Sequence, residues 1–191
     1  MERESYDCKT EKNYKKICVC VGGGMSELEY LEAHGFRHGK NFQCYSEYPI
    51  DSNWPWLISV GDNVILSSDV RILAHDASTG YTGARTKIGC VTIGNNVFIG
   101  ADSIVLCNTK IGDNVIVGAG SVVTNDLPSN GVYAGNPAKY ICSFEEYKKK
   151  HMANAATHPC FTEHKWDEWS KATPDEWEKM RERLKDTFGY V

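Results

Sequence analysis

Large aliphatic or aromatic residues recur at every sixth position in two stretches of this chain. The first stretch runs Phe36, Phe42, Tyr48, Trp54, Val60, Leu66, Ile72, and the second runs Ile93, Ile99, Val105, Ile111, Val117, Val123. With 41% of the chain apolar, six such residues in succession arise by chance in a given register about 0.005 of the time. A period of six fits neither the roughly 3.6-residue turn of a helix nor the two-residue alternation of a strand. It fits a short strand followed by a corner, repeated as a hexad, and such repeats build a parallel β-helix. Three hexads make one triangular coil, so residues three hexads apart stack. Ile93 is expected beneath Ile111, and Ile99 beneath Val117. Each coil buries its apolar edge only against its neighbours.

The remaining places of the hexad agree. Gly follows the inward residue in Val60-Gly61, Ile93-Gly94, Ile99-Gly100, Ile111-Gly112 and Val117-Gly118. Asn63, Asn96 and Asn114 hold the fourth place, where the corner needs a left-handed backbone that Asn tolerates. A second inward residue takes the fifth place: Val64, Val70, Val97, Ser103, Thr109, Val115, Ser121. The two runs are out of phase with one another. Restarting a hexad at Lys87, with Val91 at its fifth place, repairs the phase. That ejects the loop 78–86 (STGYTGART), whose Gly, Ser and Thr cannot be core. The loop leaves just after Ala74-His75-Asp76, and scaffolds carry function on such loops.

The flanks differ in character. Residues 1–35 form an N-terminal extension with a helix over Met25–His34, capped by Ser26 and stopped by Gly35. The β-helix occupies 36–141. The tail 142–191 reads as helical, with helix from Tyr140 to His151 and again from Thr173-Pro174 to about Asp186. Trp166, Trp169 and Trp177 are expected to pack on the prism or on a neighbouring subunit. The N-terminal stretch KKICVCVGGG lacks the glycine spacing and the βαβ unit of a dinucleotide fold.

Composition removes several function classes. A net charge of −4 argues against a nucleic-acid surface, which needs a basic stripe. No run approaches the ~20 apolar residues of a membrane span, and no secretory signal opens the chain. Eight scattered cysteines read as reduced thiols of a cytoplasmic protein and not as a disulfide framework. His158, Cys160 and His164 are too loosely spaced for a metal site, so no metal is expected.

The stretch from Thr86 to Ile141, TKIGCVTIGNNVFIGADSIVLCNTKIGDNVIVGAGSVVTNDLPSNGVYAGNPAKYI, closely resembles the hexapeptide-repeat acyltransferases. It is most similar to their maltose and galactoside O-acetyltransferase branch and to related polysaccharide O-acetyltransferases. The segment from Pro55 to Ser78 matches the same branch. The resemblance implies a homotrimer of left-handed parallel β-helices with active sites between subunits. It implies acetyl-CoA as acyl donor, a sugar or glycan acceptor, and His75 as general base. A neutral imidazole suits that task because its pKa lies near working pH. For the acceptor, the candidates are Asp76, Asp51, Tyr81 and Arg85, with Asp76 alternatively helping to orient the base or serving as a turn residue that caps its own backbone. The family often carries an acidic residue in the loop after the histidine, and STGYTGART has none. Trp54 could stack on a sugar but lies in the inward register, which favours core. For the donor, the resemblance points to Phe98, Ala101, Ala119, Thr124 and Lys139.

Three other functions remain to be weighed. An N-acetyltransferase for an amino-sugar nucleotide shares fold and donor, but 35 residues cannot make the nucleotide-binding domain such enzymes carry. A metal-dependent β-helix hydratase like the γ-carbonic anhydrases needs several histidines in the prism, and after residue 40 only His75 is there. A non-enzymatic scaffold would show no binding of CoA.

Overall fold

The computed structural model describes residues 20–21, 25–46, 49–165 and 167–191. Tyr48, Trp166, Cys18 and the glycines 22–24 lie outside the described residues. The chain divides into two compact units, Met1–Ile141 and Cys142–Val191.

In the first unit, short strands fall into three parallel sheets taken in rotation along the chain. Ile58–Val60, Val91–Ile93 and Thr109–Ile111 lie in the first sheet. Val64–Leu66, Val97–Ile99, Val115–Val117 and Gly131–Ala134 lie in the second, and Arg71–Ile72, Ile104–Val105 and Val122–Val123 in the third. Ile93 pairs with Ile111 and Ile99 with Val117, as the period requires. Val91, Ile93, Val97, Ile99, Val105, Ile111, Val115, Val117 and Val123 are all at most 2% exposed and belong to one core cluster. Removing this apolar surface from water is the main stabilising term. The corners turn through left-handed residues, among them Asn63, Asn96 and Asn114 at φ near 55° (55°, 56° and 54°). Their side-chain amides form a ladder, Asn41–Asn63–Asn96–Asn114–Asn130, with steps of 2.9, 3.0, 3.1 and 2.9 Å.

The first run of hexads is not one register. Arg37 pairs with Ser59, Gln43 with Ile65, and Ile50 bridges to Ile72. The offset there is 22 residues, against 18 between the later coils. Phe36 and Phe42 therefore stand opposite Ile58 and Val64, at fifth places and not at first places. Four extra residues at the corner 51–57 carry the pattern from a fifth place to a first place. Both places are apolar, so the spacing of six runs on unbroken in the sequence. Trp54 sits in that corner, half-buried against the core. The next coil is offset by 33 residues, which shifts the phase by half a hexad and makes the interruption visible in the sequence.

Helix α1 spans Glu27–Ala33, shorter than expected, because Met25–Ser26 is a strand paired with Cys20–Val21. Ser26 accepts from Glu29 N at 3.3 Å in a capping box. Gly35, at φ 92°, closes the helix. Leu31 joins the core cluster, and Leu28 and Tyr30 pack against it.

In the second unit, α2 spans Phe144–Ala155 and not Tyr140–His151. Lys139–Ser143 is extended strand, and Ser143 caps α2 by pairing with Glu146, a Ser-x-x-Glu signal that sets the true start. Helix α3 spans Pro174–Arg183, capped by Thr173. Phe161 is buried, with the Arg183 guanidinium 4.5 Å from its ring centroid and Trp169 set at right angles to it, ring centroids 6.0 Å apart. The Trp177 indole donates to the Trp169 carbonyl at 3.0 Å. His158 stacks on Phe188, and His164 pairs with Glu176 at 3.2 Å. Among the described residues, no group of three or more His, Cys, Asp or Glu gathers in a way that could hold a metal. No described helix is long and apolar enough to cross a membrane.

Bonds from the Thr173 backbone and hydroxyl, and then from His164, lower the Glu176 carboxyl from 4.5 to about 2. A depressed carboxylate stabilises the fold above its unfolded pKa and loses that contribution as pH falls toward its folded pKa. Stability of α3 should therefore decline between about pH 4.5 and pH 2. Comparison of acid unfolding by circular dichroism in the wild type and in Glu176→Gln checks this. The variant should lack that part of the slope.

Candidate active site

The third sheet delivers His75 to a corner. Leu73 N donates to Val105 O at 2.9 Å, and Ala74, fully buried, is the last inward residue before the chain leaves the prism. His75–Asp76 then pairs antiparallel with Lys87–Ile88, His75 opposite Ile88 and Asp76 opposite Lys87. Gly89 N donates to Ala74 O at 3.0 Å and closes the excursion. A Cβ on Gly89 would fall 2.7 Å from Asn108 Cβ and 2.9 Å from its backbone nitrogen, so the returning strand needs glycine there. The excursion is wider than the expected loop 78–86, because Lys87–Ile88 pairs with His75–Asp76 and does not restart a hexad, and the antiparallel ladder at its neck holds the histidine backbone.

The four-residue insertion one coil earlier supplies the partner. Asp51 N donates to Ile72 O at 3.0 Å, which fixes Asp51 beside the end of the third sheet. Its Oδ1 accepts from Asn53 N at 3.1 Å, an Asx turn that shapes the inserted corner. Its Oδ2 accepts from Ala74 N at 3.0 Å and pairs with His75 Nδ1 in a short contact. The Asp51 side chain is 2% exposed and that of His75 28% exposed. A buried carboxylate is stable only when paired and hydrogen-bonded, and here both oxygens are engaged. With Nδ1 donating to Asp51, the Nε2 lone pair is left as the proton acceptor.

This arrangement changes the role expected for Asp51 and selects the turn-capping reading for Asp76. Asp51 faces the imidazole and does not present its carboxylate to an acceptor. Asp76 is engaged within its own loop. Its Oδ1 accepts from Ser78 N at 2.9 Å and from the Ser78 hydroxyl, capping the short 3-10 helix Ala77–Thr82. The Ser78 hydroxyl and N–H, in that order, hold its carboxyl below the usual range. Within the loop, Thr79 Oγ1 donates to Arg85 O at 2.7 Å and accepts from Lys87 N at 3.1 Å, tying the two limbs together. Tyr81 stands at the tip, 98% exposed, and Arg85 is exposed.

The residues expected for the donor divide between two corners. Phe98 points outward from the second sheet, in register between Ile65 and Ile116. Ala101 accepts from Gly120 N at 2.7 Å, so Ala101 and Ala119 stack at the corner between the second and third sheets. Thr124 follows the third sheet, at the same corner as His75 but two coils on. Lys139 is exposed at the start of Lys139–Ser143. The width of the third sheet separates Phe98, Ala101 and Ala119 from His75 within one chain.

Residues 90–125 match the model of the bacterial transferase hexapeptide (six repeats). The chain is 46% identical to Protein CapG of Staphylococcus aureus over 105 residues, which is 53% of this chain and 61% of that protein. It is therefore similar to less than two thirds of that relative's length. It is 32% identical to the galactoside O-acetyltransferase of Escherichia coli (strain K12) over 147 residues, covering 74% of this chain and 71% of the relative. The chain belongs to the hexapeptide-repeat transferases. A narrower match joins this transferase to serine acetyltransferase 2 of Arabidopsis thaliana, at 39% identity over 47% of the chain and 27% of the relative. The stretch 90–125 lies wholly beyond His75, so the match to the family model rests on the regular coils and not on the corner that carries His75.

Proposed function

We propose that this transferase moves an acetyl group from acetyl-CoA to a hydroxyl of a sugar or glycan precursor, with His75 as general base. The observation that carries the reading is the pairing of His75 Nδ1 with the buried Asp51 carboxylate. The acceptor O–H donates to His75 Nε2, and its oxygen attacks the thioester carbonyl carbon as the proton moves to the ring. The C–S bond then breaks, the acetyl group stays on the acceptor oxygen, and the imidazolium returns the proton to the CoA thiolate. Asp51 holds the required tautomer and offsets the charge that forms on the ring. It is a positioning residue, since it reaches the reaction only through His75.

The sheets taken in rotation support a left-handed β-helix, as in the family. The separation of Phe98, Ala101 and Ala119 from His75 supports a homotrimer in which the donor lies between two copies. A cytoplasmic location accords with an acetyl-CoA donor. The sugar acceptor is favoured because the galactoside relative is matched over most of its length, whereas the serine acetyltransferase is matched over 27% of its own.

The test is release of CoA thiol from acetyl-CoA by the purified protein with maltose, galactosides, glucosamine, nucleotide sugars and serine as acceptors. Turnover is expected with a neutral sugar. Turnover only with glucosamine or an amino-sugar nucleotide would establish N-acetyl transfer in its place, and turnover only with serine an amino-acid acceptor.

A further inference from the structure

The neck of the excursion has two unlike faces. Gly89 N donates to Ala74 O, so Ala74 and Gly89 take the hydrogen-bonded place of the antiparallel ladder. The next pair, His75 and Ile88, takes the non-hydrogen-bonded place. There the Cα atoms of a pair lie about 4.5 Å apart and facing side chains come closest. Asp76 and Lys87 form the following pair. Successive side chains of a strand point to opposite faces. The charged pair therefore stands on one face of the neck, and the imidazole with Ile88 on the other. Ile88 is 47% exposed and lies outside the core cluster. The loop leading into it, 78–87, is polar or small apart from Tyr81. A lone exposed isoleucine is ordinary on a protein surface. This one is distinguished by its partner across the ladder, whose Nδ1 is held by Asp51 and whose Nε2 is left to accept a proton.

A base that takes a proton from an acceptor hydroxyl can also take one from water. Water attacking the thioester carbon would lose a proton to Nε2, and the C–S bond would break. The imidazolium would return that proton to the thiolate, leaving acetic acid and CoA thiol. We propose that Ile88 is a selectivity residue that keeps water from His75, so that acetyl-CoA passes its acetyl group to the organic acceptor and is not hydrolysed. The proposal deepens the O-acetyltransferase reading and rests on it. A branched hydrocarbon offers water no hydrogen bond, and a water held against it loses bonds it would keep in bulk. An acceptor hydroxyl arrives on carbon, and its C–H groups can lie against Ile88. Exclusion of water from a site that handles a reactive acyl group suppresses that side reaction.

Two measurements test it. The first is thiol release from acetyl-CoA with no acceptor present. It should rise about tenfold in Ile88→Ala. In Ile88→Val, which keeps the branch at Cβ, it should change by less than about twofold. The second is the rate at which diethyl pyrocarbonate modifies His75, read by mass spectrometry of the peptide that carries it. This reports access to the ring without any turnover, and it should also rise in Ile88→Ala. The oligomeric mass should be unchanged. Unchanged modification of His75 would overturn the proposal. So would faster modification with unchanged acceptor-free release in an enzyme that transfers acetyl. Both results leave the O-acetyltransferase reading standing. Faster modification in Ile88→Ala, in a protein that releases no thiol with sugars, glucosamine or serine, would uphold the screen over the imidazole and remove the acetyltransferase reading. A changed oligomeric mass in Ile88→Ala would assign the side chain to a contact between copies and overturn the proposal.

Discussion

Replacing His75 with alanine is expected to lower acetyl transfer by a factor of about 10²–10⁴, the usual contribution of a positioned general base. The loss should fall on kcat, with KM for acetyl-CoA little changed, because no donor candidate depends on the imidazole. The fold should survive. His75 is 28% exposed at its side chain and lies outside the core cluster. Removing it leaves Asp51 still bonded to Ala74 N and Asn53 N. Thiol release under saturating donor, together with the melting temperature of the same preparation, checks both halves. A variant of normal stability that retained full activity would refute the role of His75 as base.

Asp51→Asn is expected to reduce kcat by about a hundredfold or more, through either of two orientations of the amide. With the amide nitrogen toward His75, Nδ1 must accept, the ring proton moves to Nε2, and the base is lost. With the amide oxygen toward His75, the tautomer survives, but the charge that stabilises the imidazolium is gone. The first orientation also sets an N–H against Ala74 N–H in a buried place, and an unsatisfied buried donor costs about 1–3 kcal/mol. The second leaves only the exposed Asn53 unpaired, so the protein should fold with the oxygen inward. The result to look for is a fall in kcat at nearly unchanged acceptor KM and nearly unchanged melting temperature. A raised acceptor KM with unaltered kcat would return Asp51 to the acceptor pocket.

Both predictions depend on a contact that the sequence did not disclose. Asp51 and His75 are 24 residues apart, an offset that no uniform hexad produces. The inserted corner at 51–57 was hidden because it exchanges one apolar place for another and leaves the spacing of six intact. The one available signal was local. Asp51, Ser52 and Asn53 are turn-formers followed by Trp54-Pro55, an improbable run for a corner that otherwise needs a single left-handed residue. The loop after His75 was legible for the opposite reason, since its length breaks the phase. The start of α2 was misplaced because Tyr140–Cys142 has no feature against helix, whereas the cap at Ser143 with Glu146 was readable from the residues.

By itself the sequence determined the repeat, the two inward places of each hexad, the left-handed corners, and the one histidine beside the one visible interruption. These follow from local rules: which residues tolerate a positive φ, and which must leave water together. Only the tertiary structure decided that Asp51 pairs with His75, that Asp76 caps its own loop, that Ala101 and Ala119 stand at a different corner from Thr124, and that Ile88 stands opposite His75. Those outcomes depend on how far each coil slides against the next. The offsets of 22, 33 and 18 residues are set by the stacking of whole coils, to which a count of apolar residues along one strand is blind.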